Sequence, residues 1–346
     1  MPRRLSGFKP TGPLQLGNYL GAIRPMVNAQ SQVDSVVLIV DLHALTVEHD
    51  PQRVRARTLE YAALLLAAGV DPDASLLYAQ SHVPEHTELH YLLECATRYG
   101  EAHRMIQFKE KSAGQPHARL SLLTYPVLMA ADILLHDVDE VPVGDDQGQH
   151  LELARDVATR FNGRYGETFT VPAAVHPTVA ARIMDLTDPA AKMGKTNASG
   201  AGVLFLLDQP DVLRRKIMRA VTDAGIEVRY APREQPGVSN LLEIMAACVR
   251  DDPAAVASLF DTYGQLKDAV ADTVISTLRP IQARYSDLAR DPGYVEAVLD
   301  EGARRARERT AGTVRRAKQA LGLLTPHVGQ HVGARAYTPL GAAAGD

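Results

Sequence analysis

Two segments of the chain carry residue types at spacings that suit work on phosphate. Pro10-Thr11-Gly12-Pro13-Leu14-Gln15-Leu16-Gly17-Asn18 interrupts a short strand-like stretch, Arg4 to Phe8, and then opens a helix-like run. At a strand–turn–helix junction, backbone N–H groups and the helix dipole can receive a phosphate, and glycine lets a nucleotide approach the backbone closely. Much later, Lys192-Met193-Gly194-Lys195-Thr196 sets two lysines three apart around small residues, which suits a loop that brings positive charge to a polyphosphate. Each has a plainer alternative, because most Gly-Asn helix starts are turns and most short lysine pairs are solvated loops. A third segment, Thr124 to Leu135, holds a single acid, Asp132, in an almost continuous apolar run. At helical spacing Tyr125, Met129 and Asp132 share one face, with the helix expected to start at Thr124 or Tyr125 before Pro126. A buried carboxylate is costly without donors. Asp132 is therefore either a structural ion pair or cap, or an acceptor for a ligand.

The elements that must position these residues read as an α/β fold. Val36 to Val40 is an uninterrupted aliphatic run, as in a strand buried on both faces, ending at Asp41 with His43 just beyond. Asp50-Pro51 supplies an N-cap and a first-turn proline for a helix that stops at Gly69. Leu76 to Ala79 and Glu140 to Val143 read as further strands. Strands alternating with helices predict a Rossmann-like parallel sheet with helices on both faces, and ligands at the carboxyl ends of its strands. After about Asp188 the pattern becomes helical, over 208–290, followed by one amphipathic helix over 292–324 with Ala303, Ala306, Thr310, Val314, Ala317 and Leu321 along one face. The expected layout is a catalytic domain over 1–190, a helical domain over 191–290, a C-terminal helix over 291–324 that packs back on the core, and a disordered tail over 325–346.

Bulk properties exclude several classes. The 346 residues are 46% hydrophobic and 23% charged, ordinary for a globular protein. No apolar run follows the N-terminal arginines and none approaches the ~20 residues of a membrane span, so neither a secretory signal nor a membrane partner is expected. Cys95 and Cys248 lie far apart in helix-like stretches and are expected to be buried free thiols in a reducing, cytoplasmic setting, with no metal site. The net charge of −4 argues against a globally cationic nucleic-acid binder. Locally, Arg304 to Lys318 holds six arginines and one lysine against a single glutamate. That stripe is either a solvated face or a contact for phosphates.

In this order, the two phosphate segments resemble the HIGH and KMSKS signatures of class I aminoacyl-tRNA synthetases. SGFKPTGPLQLGNYLGAI, VDLHALT, QFKEKSAG, TYPVLMAADILL, VPVGDDQGQHLELARDVATRFN, RIMDLTDPAAKMGKT and PGVSNLL are similar, in order, to landmarks of the tryptophanyl enzymes. The resemblance spans residues 4–324 and implies activation of L-tryptophan with ATP and Mg2+, then transfer to tRNA(Trp). It implies that Lys9, Pro10, Thr11, Gln15, Gly17 and Asn18 bind ATP and steady its α-phosphate. Gly144, Asp145, Asp146 and Ile183 would hold adenosine, and Lys111, Lys192 and Lys195, with Met193, Gly194 and Thr196, would face the phosphates. Asp132 would accept the indole N–H, Tyr125 and Gln147 would hold the amino and carboxylate ends, and Leu5, His43, Met129, Val141 and Val143 would line the ring. His43 on its own is more often an ordinary strand-end histidine.

The family likeness also implies an α-helical anticodon-binding domain, with Arg214, Arg215, Lys216 and Arg219 as tRNA contacts, joined by Arg304, Arg305, Arg315 and Arg316 of the last helix. An insertion near 82–135, most clearly His82 to Gly114, resembles the segment where two subunits of a homodimer meet. Three departures stand out: Gln15 where the wider class has histidine, Gly194 and Thr196 in place of two serines, and Lys9 in place of glutamine. The alternatives are a tyrosyl-tRNA synthetase, a synthetase-like regulator that has lost catalysis, and a small-molecule nucleotidyltransferase.

Overall fold

The computed structural model describes residues 1–106, 108–109, 118–143, 148–175, 183–194 and 200–325. Five strands pair in parallel in the order β3-β2-β1-β4-β5: β1 Arg3–Phe8, β2 Asp34–Ile39, β3 Ser75–Ala79, β4 Glu140–Pro142 and β5 Ala173–Val175. Leu5 pairs with Val36 and Val36 with Leu76, so β1, β2 and the edge strand β3 run in register. Their side chains alternate between two cores, as a period of two requires. Val37, Ile39 and Leu77 pack against Tyr61, Leu64 and Leu65 of the Pro51–Ala67 helix. Val36, Leu38, Leu76 and Tyr78 face the helices Leu120–Leu135 and Gly148–Tyr165. The strand order reverses between β1 and β4, which opens a crevice at their carboxyl ends. This is the Rossmann-like α/β class that the alternation predicts.

Local chemistry sets the boundaries. Asp50 caps the Pro51–Ala67 helix by accepting from Gln52 N at 3.0 Å, and Gly69, at φ +106°, takes the left-handed turn that ends it. After the glycine turn, Leu16–Asn18 is helical, Tyr19–Ile23 forms a π turn, and Arg24–Ala29 returns to α geometry. The helix that holds Asp132 corrects the expectation of a start at Thr124 or Tyr125. It begins at Leu120 and runs through Pro126, which lies inside it. The preceding turn supplies apolar burial at Leu122, so the helix continues despite the missing N–H.

The last third is helical: Pro210–Met218, Pro236–Val249, Pro253–Ala257 and Tyr263–Leu288. The helix Pro292–Ala320 then returns to the sheet. A Cβ added at Gly302 would sit 1.8 Å from the Leu77 carbonyl oxygen, so the helix approaches β3 at a distance only glycine permits. Its basic residues act as clamps. Arg305 donates to Pro72 O at 2.7 Å, Arg309 pairs with Asp34 at 3.0 Å, and Arg316 and Lys318 pair with Asp137 and Glu88, each at 2.7 Å. The cysteines are free, but the expectation that both are buried fails: Cys95 is exposed at the end of the Glu85–Glu94 helix and Cys248 is half-buried. Among the described residues no helix is long and apolar enough to cross a membrane.

Gly302→Ala forces the helix off β3 and should cost about 1–3 kcal/mol, seen as a melting temperature lower by roughly 3–10 °C. An unchanged melting temperature would show that the close approach carries no weight.

Candidate active site

Asp132 is 2% exposed and is surrounded by donors from three elements. His43 Nε2, from the one-turn helix Asp41–Ala44 after β2, lies 2.8 Å from Oδ2. Gln80, directly after β3, donates from Nε2 to Oδ1 at 2.6 Å. His86 of the Glu85–Glu94 helix places Nδ1 2.7 Å from the same oxygen. Burial pushes the Asp132 carboxyl up, but hydrogen bonds from His43 and His86 outweigh it and hold the group at about 2. The ionised carboxylate only accepts, so His86 must present Nδ1–H to it. The other His86 nitrogen then meets the Tyr78 hydroxyl at 2.8 Å, and that hydroxyl meets His136 Nε2 at 2.5 Å. A carboxylate offers about four acceptor positions. Two donors share Oδ1 and one holds Oδ2, which leaves one position for a further donor.

Most of the apolar residues expected to line the ring share one core cluster with the helix that carries Asp132. Leu5, Val141, Val143 and the partly buried Met129 belong to one cluster with Val127, Ala130 and Ala131. Tyr125 meets His43 edge-on, with ring centroids 6.1 Å apart, and its hydroxyl lies 2.9 Å from His150 Nε2. Lys9, at the carboxyl end of β1, donates to Thr46 Oγ1 at 3.3 Å, and Thr46 in turn donates to His43 O at 2.9 Å. The lysine is thus tied through Thr46 to the short helix that carries His43.

On the nucleotide side, Pro10 is buried, Thr11 is exposed, and Gly17 and Asn18 are half-buried at the helix start. Gln15 and Asn18 form a reciprocal cap: the Gln15 side chain accepts from Gly17 N, and Asn18 Oδ1 accepts from Gln15 N at 3.2 Å. Gln15 is 5% exposed, and its amide Nε2 uses one of its two N–H groups on Met193 O at 3.0 Å. Ile183 and Met193 are buried together, with Met193 N bonded to Ile183 O at 3.0 Å. Asn240, from the PGVSNLL landmark, holds the Met184 backbone at both its N–H (2.8 Å) and its carbonyl (2.9 Å). Lys192 is exposed and Gly194 half-buried. Lys111, Gly144, Asp145, Asp146, Gln147, Lys195 and Thr196 lie outside the described residues.

The basic residues offered as tRNA contacts divide into two kinds. Lys216 is tied to Val203 O and Asp208 Oδ2, both at 2.7 Å, and sits 4.8 Å above the Phe205 ring. Arg305 and Arg316 are clamps of the last helix. Arg214 pairs with Asp268 and Asp272, Arg215 with Asp211, and Arg304 with Glu301 and Glu308. Arg219 and Arg315 are exposed. The stripe of the last helix therefore carries less free charge than its composition suggests, because Arg304, Arg305 and Arg316 already have partners within the chain. Sequence reasoning also missed Gln80, His86, Tyr78, His136 and His150. Gln80 had a usable signal, since it stands one residue past the carboxyl end of a buried strand, where ligands collect.

Comparison with known proteins identifies the family and the fold. Residues 2–279 match the family described as tRNA synthetases class I (W and Y). Tryptophan–tRNA ligase 1 of Streptomyces coelicolor is 56% identical over 331 residues, covering 94% of this chain and 98% of the relative. The crystal structure of tryptophanyl-tRNA synthetase from Mycoplasma pneumoniae superposes with a TM-score of 0.86 at 36% identity, covering 93% of this chain and 98% of that one. That of the Campylobacter jejuni enzyme, complexed with ADP and tryptophan, gives 0.80 at 32% identity, covering 93% and 100%.

The buried network has a pH signature. Desolvation, reinforced by His86, lowers the His136 pKa well below its ordinary 6.5. In the unfolded chain the same ring takes up a proton near 6.5, so its share of stability is complete above that pH and decays as pH falls below it. Wild type should lose melting temperature between about pH 7.5 and 5.5, and His136→Gln, which keeps an N–H for Tyr78, should lose less over that range. Equal losses would mean that His136 does not titrate with unfolding.

Proposed function

Because the chain belongs to the class I tRNA synthetases, in their tryptophanyl branch, we propose that it activates L-tryptophan with ATP and transfers it to tRNA(Trp). The carboxylate of tryptophan attacks the α-phosphate and pyrophosphate leaves. A terminal hydroxyl of the tRNA then attacks the adenylate carbonyl and AMP leaves. The observation that supports the choice of tryptophan is Asp132, a buried carboxylate whose three donors leave one acceptor position, on the helix that also carries Met129. An indole N–H fits such a position, in a charge-assisted bond of about 1.5–3 kcal/mol. Tyr125 and Gln147 take the polar end of the amino acid in this reading, and Lys9 stands by its carboxylate.

ATP is assigned to the glycine turn, with Gly144, Asp145, Asp146 and Ile183 for adenosine and Lys111, Lys192 and Lys195 for the phosphates. Positioning and positive charge are most of what this chemistry asks of the protein. Among the described residues no three His, Cys, Asp or Glu side chains cluster as metal ligands. The reading takes the magnesium ion to be carried by the nucleotide, where it neutralises phosphate charge. We assign tRNA contact to the helical domain and the last helix, foremost the exposed Arg219 and Arg315, and place the enzyme in the cytoplasm. The exposed apolar residues Tyr91, Tyr99, Ile106 and Leu120, all within the segment 82–135, support a homodimer that meets through that segment.

Amino-acid-dependent pyrophosphate exchange tests the assignment. Exchange should appear with tryptophan and be far weaker with tyrosine or phenylalanine, and Lys192→Ala or Lys195→Ala should lower kcat much more than tryptophan affinity. Exchange with tyrosine and none with tryptophan would establish the tyrosyl alternative, and full rates in both lysine variants would remove the loop from catalysis.

A further inference from the structure

Helix N-caps are usually filled by short side chains, Ser, Thr, Asp or Asn, whose oxygen reaches the first free N–H groups. Gln15 fills that role for the helix start at Leu16, with its Oε1 accepting from Gly17 N, yet it is longer than a cap requires. The extra length carries its amide nitrogen to the carbonyl of Met193, 178 positions away in sequence and 3.0 Å away in space. Met193 is firmly seated: it is buried, its N–H is bonded to Ile183 O at 3.0 Å, and Lys192 beside it bridges to Met184. On the far side of the same lysine segment, the chain is seated on the same turn by backbone bonds, Leu16 N to Leu204 O at 2.8 Å and Leu206 N to Leu14 O at 3.0 Å. Both stems of the lysine segment therefore rest on the glycine turn, one through backbone and the other through the Gln15 amide.

We infer that Gln15 is a positioning residue: its side chain latches the entering stem of the Lys192–Lys195 segment to the glycine turn and so sets where Lys192 stands against bound ATP. A serine or threonine cap would satisfy the helix start and leave Met193 O without this donor. The inference rests on the proposed role of Lys192 at the phosphates. Gln15 touches no substrate in it; the effect reaches the reaction through the placement of Lys192.

A double-mutant cycle on the full-length enzyme, read by tryptophan-dependent pyrophosphate exchange with melting temperatures alongside, tests the latch. Gln15→Thr keeps the cap and removes the arm. It should lower kcat by about tenfold, the weight of one well-placed hydrogen bond, and leave KM for tryptophan and the melting temperature nearly unchanged. Gln15→Glu keeps both cap and reach but lacks the N–H, and should lose at least as much. In a Lys192→Ala background the same Gln15→Thr change should cost less than about twofold, since the residue through which it acts is already gone. A wild-type rate in Gln15→Thr, or the same fold loss in both backgrounds, would overturn the latch while the loop assignment stands. A full rate in Lys192→Ala alone would instead overturn the loop assignment, and the latch with it. A Gln15→Thr protein with a lowered melting temperature and an unchanged kcat would show Gln15 to be structural only.

Discussion

A buried negative charge organises this molecule. Asp132 sits in the apolar layer beneath the sheet, and removing a carboxylate from water is affordable only when donors replace the water. Those donors come from the end of β2, the end of β3 and the Glu85–Glu94 helix, so the network joins at one point the elements that border the crevice. Tyr78 and His136 extend it across the core. The arrangement fixes the carboxylate on three sides and leaves one acceptor position. Such a fixed acceptor distinguishes a ligand that brings an N–H from one that does not, because the mismatched ligand leaves it unpaired in a dry site.

The second half of the site is built around the glycine turn. The turn itself is short, and what steadies it lies far off in sequence: Leu204 to Leu206 by backbone pairing, Met193 through Gln15, and Tyr61, whose hydroxyl donates to Gly12 O at 2.7 Å. Asn240 braces the strand-like piece at Met184 from the helical third of the chain. The loop segment at Met184 and the helical parts thus share hydrogen bonds, and the arginine clamps of the last helix hold it along β3. Each exposed clamp is individually weak in water, but together with the Gly302 contact they define how that helix lies on β3.

What the sequence reveals and conceals follows from the range of each interaction. β2 and β3 are legible because strands buried on both faces must be aliphatic throughout. β5 is three residues long, with Ala173 and Ala174 exposed, and leaves no such mark. Pro126 reads as a helix start, yet the packing of the surrounding helix outweighs one lost hydrogen bond. The cost of burying Asp132 is legible, but its remedy is not: the donors His43, Gln80 and His86 lie 89, 52 and 46 positions away. Burial alone therefore does not demand a substrate donor, since the protein already supplies three. The basic stripe of the last helix shows the same limit, because Asp34, Glu88 and Asp137, which absorb much of its charge, are invisible from the helix itself. The contact of Gln15 with Met193, 178 positions away, is likewise invisible in the sequence.

Because Asp132 also holds the core together, stability cannot reveal its role in recognition, and only a comparison between substrates can. The measurement is the ratio of kcat/KM for tryptophan to that for an analogue whose ring N–H is replaced by sulfur, in wild type and in Asp132→Asn. Asparagine keeps an oxygen for Gln80 and His86 and turns an N–H toward the remaining position, so a preference of roughly tenfold to a few hundredfold for tryptophan should largely disappear. An unchanged ratio in Asp132→Asn would contradict the account, leaving Asp132 as a structural acid and the indole read elsewhere.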